Sequence, residues 1–279
     1  MKKTNTYVLL ASIAICLMCL IKPDTFAQIN TARMDSLNIE LNNATFKKFN
    51  TGKLSINLIN TNFITGEISR LIVTVIDINT KDLYLNRLGF TLNNVNFTPE
   101  RLIKDQELIL KNPVRAKAYI QITETGINQT LNQPKVLEKL SNVTRTKIKK
   151  LGIELSGGLI SFQEPEARIL ENNRIEIAMK ATLSNLVGFP VKYSAILTLV
   201  DSKLALVNPR LNASGVTLPG EVTQILNNKL SELLDVDKRL KDDAQVNITD
   251  VKVIPGQYVL INGDAIIHKL RYSKKNRDK

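Results

Sequence analysis

At 279 residues the chain can form one large domain or two ordinary ones, and it can bury a core without a disulfide staple or a metal. One histidine, no tryptophan, 5% aromatic residues and two cysteines leave little material for catalysis, sugar-stacking platforms or a disulfide framework. The formal net charge of +12 favours anionic partners. With so few aromatic platforms and no recognition helix, an anionic membrane surface is the expected one and nucleic acid is not, while basic charge kept for solubility is the plain alternative.

The N-terminus has three parts: Lys2 and Lys3, an apolar run from Val8 to Ile21, and Thr25-Phe26-Ala27. The small residues Thr25 and Ala27, at −3 and −1, suit cleavage before Gln28, as in an export signal. About 14 apolar residues fall short of the ~20 that span a bilayer as a helix, which weighs against an uncleaved anchor. Cys16 and Cys19 both lie in this segment, and the small residues that usually precede a lipid-modified cysteine are absent. The expected organisation is a leader at 1–27, one elongated domain at 28–270 and a basic tail at 271–279. The expected location is outside the cytoplasm, in a bacterial periplasm or cell envelope.

From Leu37 to Ile122 the pattern is mainly strand. Leu54, Ile56 and Leu58 alternate with polar residues, and Leu71, Val73 and Val75 alternate with Ile72, Ile76 and Ile78. Val114, Ala116, Ala118, Ile120 and Ile122 oppose Arg115, Lys117, Tyr119 and Gln121, which marks a half-buried strand. Thr65-Gly66 and Asn79 to Asp82 read as turns, and Thr98-Pro99-Glu100 opens a short helix.

Thr123 can cap a short helix through Leu131, and Pro134 suits the first turn of a longer amphipathic one reaching toward Leu151. Strands resume at Leu159 to Phe162, Arg174 to Leu183, Val191 to Val200 and Leu204 to Leu211, with Asn172-Asn173 and Asp201-Ser202 as hairpin turns. Pro219 opens a second amphipathic helix, Asp242-Asp243 break the pattern, and strands follow at Val246 to Ile254 and Tyr258 to Leu270. This order predicts an α+β fold: a curved, mostly antiparallel sheet wrapped around two long amphipathic helices. No short tandem repeat is evident. A faint two-fold echo, strands followed by one helix in each half, is left open.

Catalytic motifs are missing. There is no HExxH, no paired-cysteine spacing, no phosphate loop and no nucleophile elbow, so neither metal nor cofactor is expected. His268 sits in an alternating strand near the basic end, where a surface histidine is the better reading than a general base. Glu164 and Glu166 around Pro165, and the Asp242-Asp243 pair, are the carboxylates a glycosidase would need, but sugar-stacking tryptophans are absent. A non-enzymatic protein is expected.

Two phrases carry a family likeness. Thr65-Gly66-Glu67-Ile68-Ser69-Arg70-Leu71, continuing as strands to Leu92, is the first. The second runs from Pro113 along the strand to Ile122-Thr123-Glu124-Thr125-Gly126-Ile127-Asn128-Gln129-Thr130-Leu131-Asn132. Together they resemble the LmeA-like family of exported bacterial phospholipid-binding proteins, over roughly Asp35 to Leu270. The resemblance implies an elongated β/α fold, similar to tubular lipid-binding domains of the BPI type, with a central apolar cavity that takes up phospholipid at the cell envelope. Strong basicity and many asparagines set this chain apart from the family.

The apolar helix faces supply the candidate lining: Val136, Leu140 and Val143 on one, and Ile225, Leu226 and Leu230 on the other. Arg145, Lys147, Lys149 and Lys150 supply the candidate phosphate or membrane contact. The same apolar residues would also build a solid core, so an envelope scaffold without a ligand is the competing expectation. Transfer of lipid between membranes is a further extension of the lipid reading.

Overall fold

Strand alternation governs most of the chain. The computed structural model describes residues 33–46, 49–101, 109–141, 160–183, 187–213, 216–217, 220–234 and 244–267. In chain order these form β1 (Arg33–Thr45), β2 (Phe49–Asn62), β3 (Glu67–Thr80), β4 (Tyr84–Asn96), β5 (Val114–Thr123), α1 (Glu124–Leu131) and α2 (Pro134–Ser141). Then follow β6 (Ile160–Ile169), β7 (Arg174–Leu183), β8 (Val187–Val200), β9 (Lys203–Ala213), β10 (Val216–Thr217), α3 (Gly220–Leu234), β11 (Ala244–Ile254) and β12 (Tyr258–Ile267).

The strands are antiparallel, as expected, but they form two sheets and not one. A seven-stranded sheet has the order β1-β2-β3-β4-β5-β12-β11, and a five-stranded sheet the order β10-β9-β8-β7-β6. The helices also differ from the expectation of two long ones. Apart from a helical turn beginning at 99, the described helices have 8, 8 and 15 residues. Thr123 caps α1 by accepting from the Gly126 N–H. Pro134 then separates α1 from α2, because its ring excludes a continuing helical hydrogen bond and restricts the residue before it. Residues 142–159, into which the longer helix was expected to run, lie outside the described residues.

A 17-residue repeat builds β1 to β4, although none is evident from the sequence alone. Leu37, Leu54, Leu71 and Leu88 are equivalent, as are Ile39, Ile56, Val73 and Phe90, and Leu41, Leu58, Val75 and Leu92. Asn43, Asn60, Asp77 and Asn94 recur at the same interval, and all four have positive φ, between 49° and 55°. Asparagine and aspartate tolerate this left-handed conformation better than other residues with a Cβ. Each kink moves the side chains that follow by one position, while the strand register is kept. Ile78, expected opposite Leu71, Val73 and Val75, therefore joins them on the buried face at 0% exposure.

Two apolar clusters result. The first lies along the inward residues of β2 to β5, with Leu37, Ile39 and Leu41 of β1 leaning on it. At Gly89 this sheet needs the absence of a side chain, since an added Cβ would lie 2.2 Å from the Tyr119 ring. The second cluster lies between one face of the five-stranded sheet, the three helices, and the residues Ile248, Val259 and Ile261 of β11 and β12. Ile120 on β5 packs against both.

Candidate functional site

Val136 and Leu140 of α2 and Leu226 and Leu230 of α3 meet in the second cluster, at 0%, 1%, 2% and 4% exposure. Helical spacing of four puts each pair on one face, and the two faces turn toward the five-stranded sheet, where α3 packs on β9. The Ile225 side chain and Val143 lie outside what is described, as do Arg145, Lys147, Lys149 and Lys150. His268 and Asp242-Asp243 do too.

Among these apolar residues sit polar groups that the sequence pattern hides. The Tyr193 hydroxyl donates to Asn227 Oδ1 at 2.5 Å, joining β8 to α3 at a buried point. Burial pushes the Tyr193 phenol pKa up, so it stays a neutral donor. Thr223, one helical turn before Asn227, is buried as well. A polar pair inside a greasy interior fixes which faces of helix and sheet meet, since leaving either partner unpaired costs about 1–3 kcal/mol.

The segment Thr123 to Gln133 clasps the two sheets together. Toward the seven-stranded sheet, Asn86 Oδ1 accepts from the Thr123 N–H at 2.7 Å and from its hydroxyl at 2.9 Å. Thr130 Oγ1 accepts from the Tyr84 N–H at 2.9 Å, and Gln133 Nε2 donates to Asn79 Oδ1 at 3.2 Å. Toward the five-stranded sheet, three residues spaced by four reach the backbone of β6. The Glu124 carboxylate accepts from the Ile169 N–H at 2.8 Å, and Asn132 Nδ2 donates to Pro165 O at 3.0 Å. Asn128 both accepts from the Ala167 N–H at 2.5 Å and donates to its carbonyl at 3.1 Å, as a neighbouring strand would. The clasp thus blunts the open edge of the second sheet and holds the two apolar clusters in contact through Ile120. Gly126 is required at its centre, because an added Cβ would lie 2.3 Å from Asn86 Oδ1.

The carboxylate pair offers no comparable site. Glu164 and Glu166 are both exposed on β6, where the register shifts around Pro165, and Glu166 pairs with Arg168 at 3.0 Å. Among the described residues no group of three metal-ligating side chains converges. No described helix is long and apolar enough to cross a membrane.

What the arrangement offers is therefore an apolar interior packed between helices and sheet. The comparison with protein families agrees: the model of the LmeA-like phospholipid-binding family matches residues 51–261, and the chain belongs to that family. The matched range covers most of β2, all of β3 to β11 and the first four residues of β12, including the clasp and nearly all of both clusters. No curated protein and no solved structure matches the chain.

Proposed function

We propose that this chain is a non-enzymatic phospholipid holder of the cell envelope, which shelters acyl chains between α2, α3 and the inner faces of the two sheets. Membership of a phospholipid-binding family is the observation that carries the reading. The apolar faces of α2 and α3 that meet sheet residues in the second cluster support it, since each CH₂ removed from water contributes about 0.8 kcal/mol. In this reading Val136, Leu140, Val143, Ile225, Leu226 and Leu230 line the acyl site, and Arg145, Lys147, Lys149 and Lys150 meet phosphate at an anionic membrane surface. The fold would then work as an elongated, tubular sleeve of the BPI type. Export rests on the leader-like segment before Gln28, and transfer between membranes would follow from reversible loading.

Organic extraction of the purified protein followed by mass spectrometry tests the reading. Phospholipid in near-stoichiometric amount is the expected result. A folded protein that carries none, and takes up none from vesicles of zwitterionic and anionic lipid, would leave the second cluster as an ordinary filled core.

A further inference from the structure

The outer edge of the seven-stranded sheet points to a second copy of the chain. In three successive strand pairs the 17-residue unit meets itself about its own centre: Ile39 faces Ile56, Ile56 faces Val73, and Val73 faces Phe90. The flanking positions follow the same rule, with Leu37 facing Leu58 and Leu41 facing Leu54. A unit that pairs antiparallel with its own repeat about a central residue can pair with an identical unit about a two-fold axis through that residue.

β1 is the terminal unit of this series, and among the described residues its outer edge has no strand neighbour. The apolar face is left open there. Leu54, Ile56 and Leu58 of β2 are 0%, 2% and 4% exposed, whereas the equivalent Leu37, Ile39 and Leu41 are only half-buried. From Met34 to Phe46 the strand has no proline and no lysine, the residues that commonly guard a free edge.

We propose that β1 pairs antiparallel with β1 of a second copy, with the two Ile39 residues face to face on the two-fold axis. This register sets Leu37 against the partner's Leu41, and Asn38 against the partner's Glu40, so no like charges oppose each other in the central rows. The two seven-stranded sheets become one continuous sheet, and the apolar face extends across both copies. The pairing does not depend on what the second cluster binds, so its failure and the failure of the lipid reading are separate results.

Cross-linking and mass give the test. In the full chain with Cys16 and Cys19 changed to serine, Ile39→Cys places two thiols on the axis. Facing Cα atoms lie about 4.5–5.5 Å apart across an antiparallel pair, within the range a disulfide bridges. Leu41→Cys is the control, because its own copy would lie about 13 Å away along the partner strand. Light scattering is expected to give twice the chain mass, and mild oxidation to link Ile39→Cys but not Leu41→Cys. On the exposed face, Asn38→Glu would oppose the partner's Glu40 twice, and should raise the dimer dissociation constant by roughly 2- to 30-fold. Asn38→Lys should not raise it. A monomer at all concentrations, as would follow if a segment of the same chain covered β1, overturns the proposal, and so does equal cross-linking at both positions.

Discussion

The two apolar clusters are built on opposite plans. The first reuses one strand four times, so that leucine, a central β-branched or aromatic residue, and a kinked asparagine or aspartate return every 17 residues. The second draws on four strands of one sheet, three helices and two strands of the other sheet, and it buries Tyr193, Thr223 and Asn227. The regular cluster stabilises by repetition, the central residue of each unit meeting its equivalent on the next strand and the flanking residues pairing crosswise. The irregular one places a buried polar pair among the apolar faces of helices and sheet.

Large-to-small changes separate the two most sharply. Leu54→Ala in the first cluster, at 0% exposure, should cost about 2–5 kcal/mol in chemical denaturation and leave bound lipid per folded chain unchanged. A loss of lipid in that variant would mean that the regular cluster is part of the site. Breaking the clasp comes next. Asn128→Ala leaves the Ala167 N–H and carbonyl without their partner, and should cost about 1–3 kcal/mol and separate the unfolding of the two sheets into distinct steps. A single transition with unchanged midpoint would show that the clasp does not couple them.

The kinks allow a finer measurement. Asn60→Gly suits φ of 49° and should change stability little, whereas Asn60→Val should cost about 1–2 kcal/mol, because a branched side chain resists the left-handed region. Equal stabilities would deny the kinks their conformational role.

The smallest effect is expected at high pH. Burial first, and then the hydrogen bond to Asp77 at 2.9 Å, push the Tyr84 pKa up to about 12 from 10.0. The folded state thus holds this proton more tightly than the unfolded chain does. Its stabilising share is intact below pH 10 and is lost as pH rises toward 12. Tyr84→Phe should flatten that part of a melting-temperature profile, and an unchanged alkaline slope would show that Tyr84 contributes nothing to it.

Local chemistry was legible where one residue type has one use. Asn172-Asn173 and Asp201-Ser202 are hairpin turns with φ of 50° to 59°, and Thr123 caps its helix. β7 spans Arg174–Leu183, as its period of two indicates. Val136, Leu140, Leu226 and Leu230 were legible as helix faces, but their meeting in one cluster depends on tertiary packing. The repeat was hidden because its marks are few, and because successive strands break the simple alternation at each kink. Asparagine was the least legible residue. As composition it means little, yet Asn43, Asn60 and Asn94 bend strands, Asn128 and Asn132 stand in for backbone along the edge strand β6, and Asn86 does so past the end of the β4–β5 ladder. Neither the Tyr193–Asn227 bond nor the division into two sheets leaves any local signature.

Filling the second cluster tests the lipid account most directly. In Leu226→Phe the larger side chain would occupy acyl volume if lipid lies between α3 and the sheet, and would strain a solid core if it does not. The measurement is phospholipid bound per chain by native mass spectrometry, taken with the stability of the delipidated protein. The account predicts that bound lipid falls while the delipidated variant stays as stable as the delipidated parent; undiminished lipid, or a variant destabilised with no lipid in either protein, would contradict it.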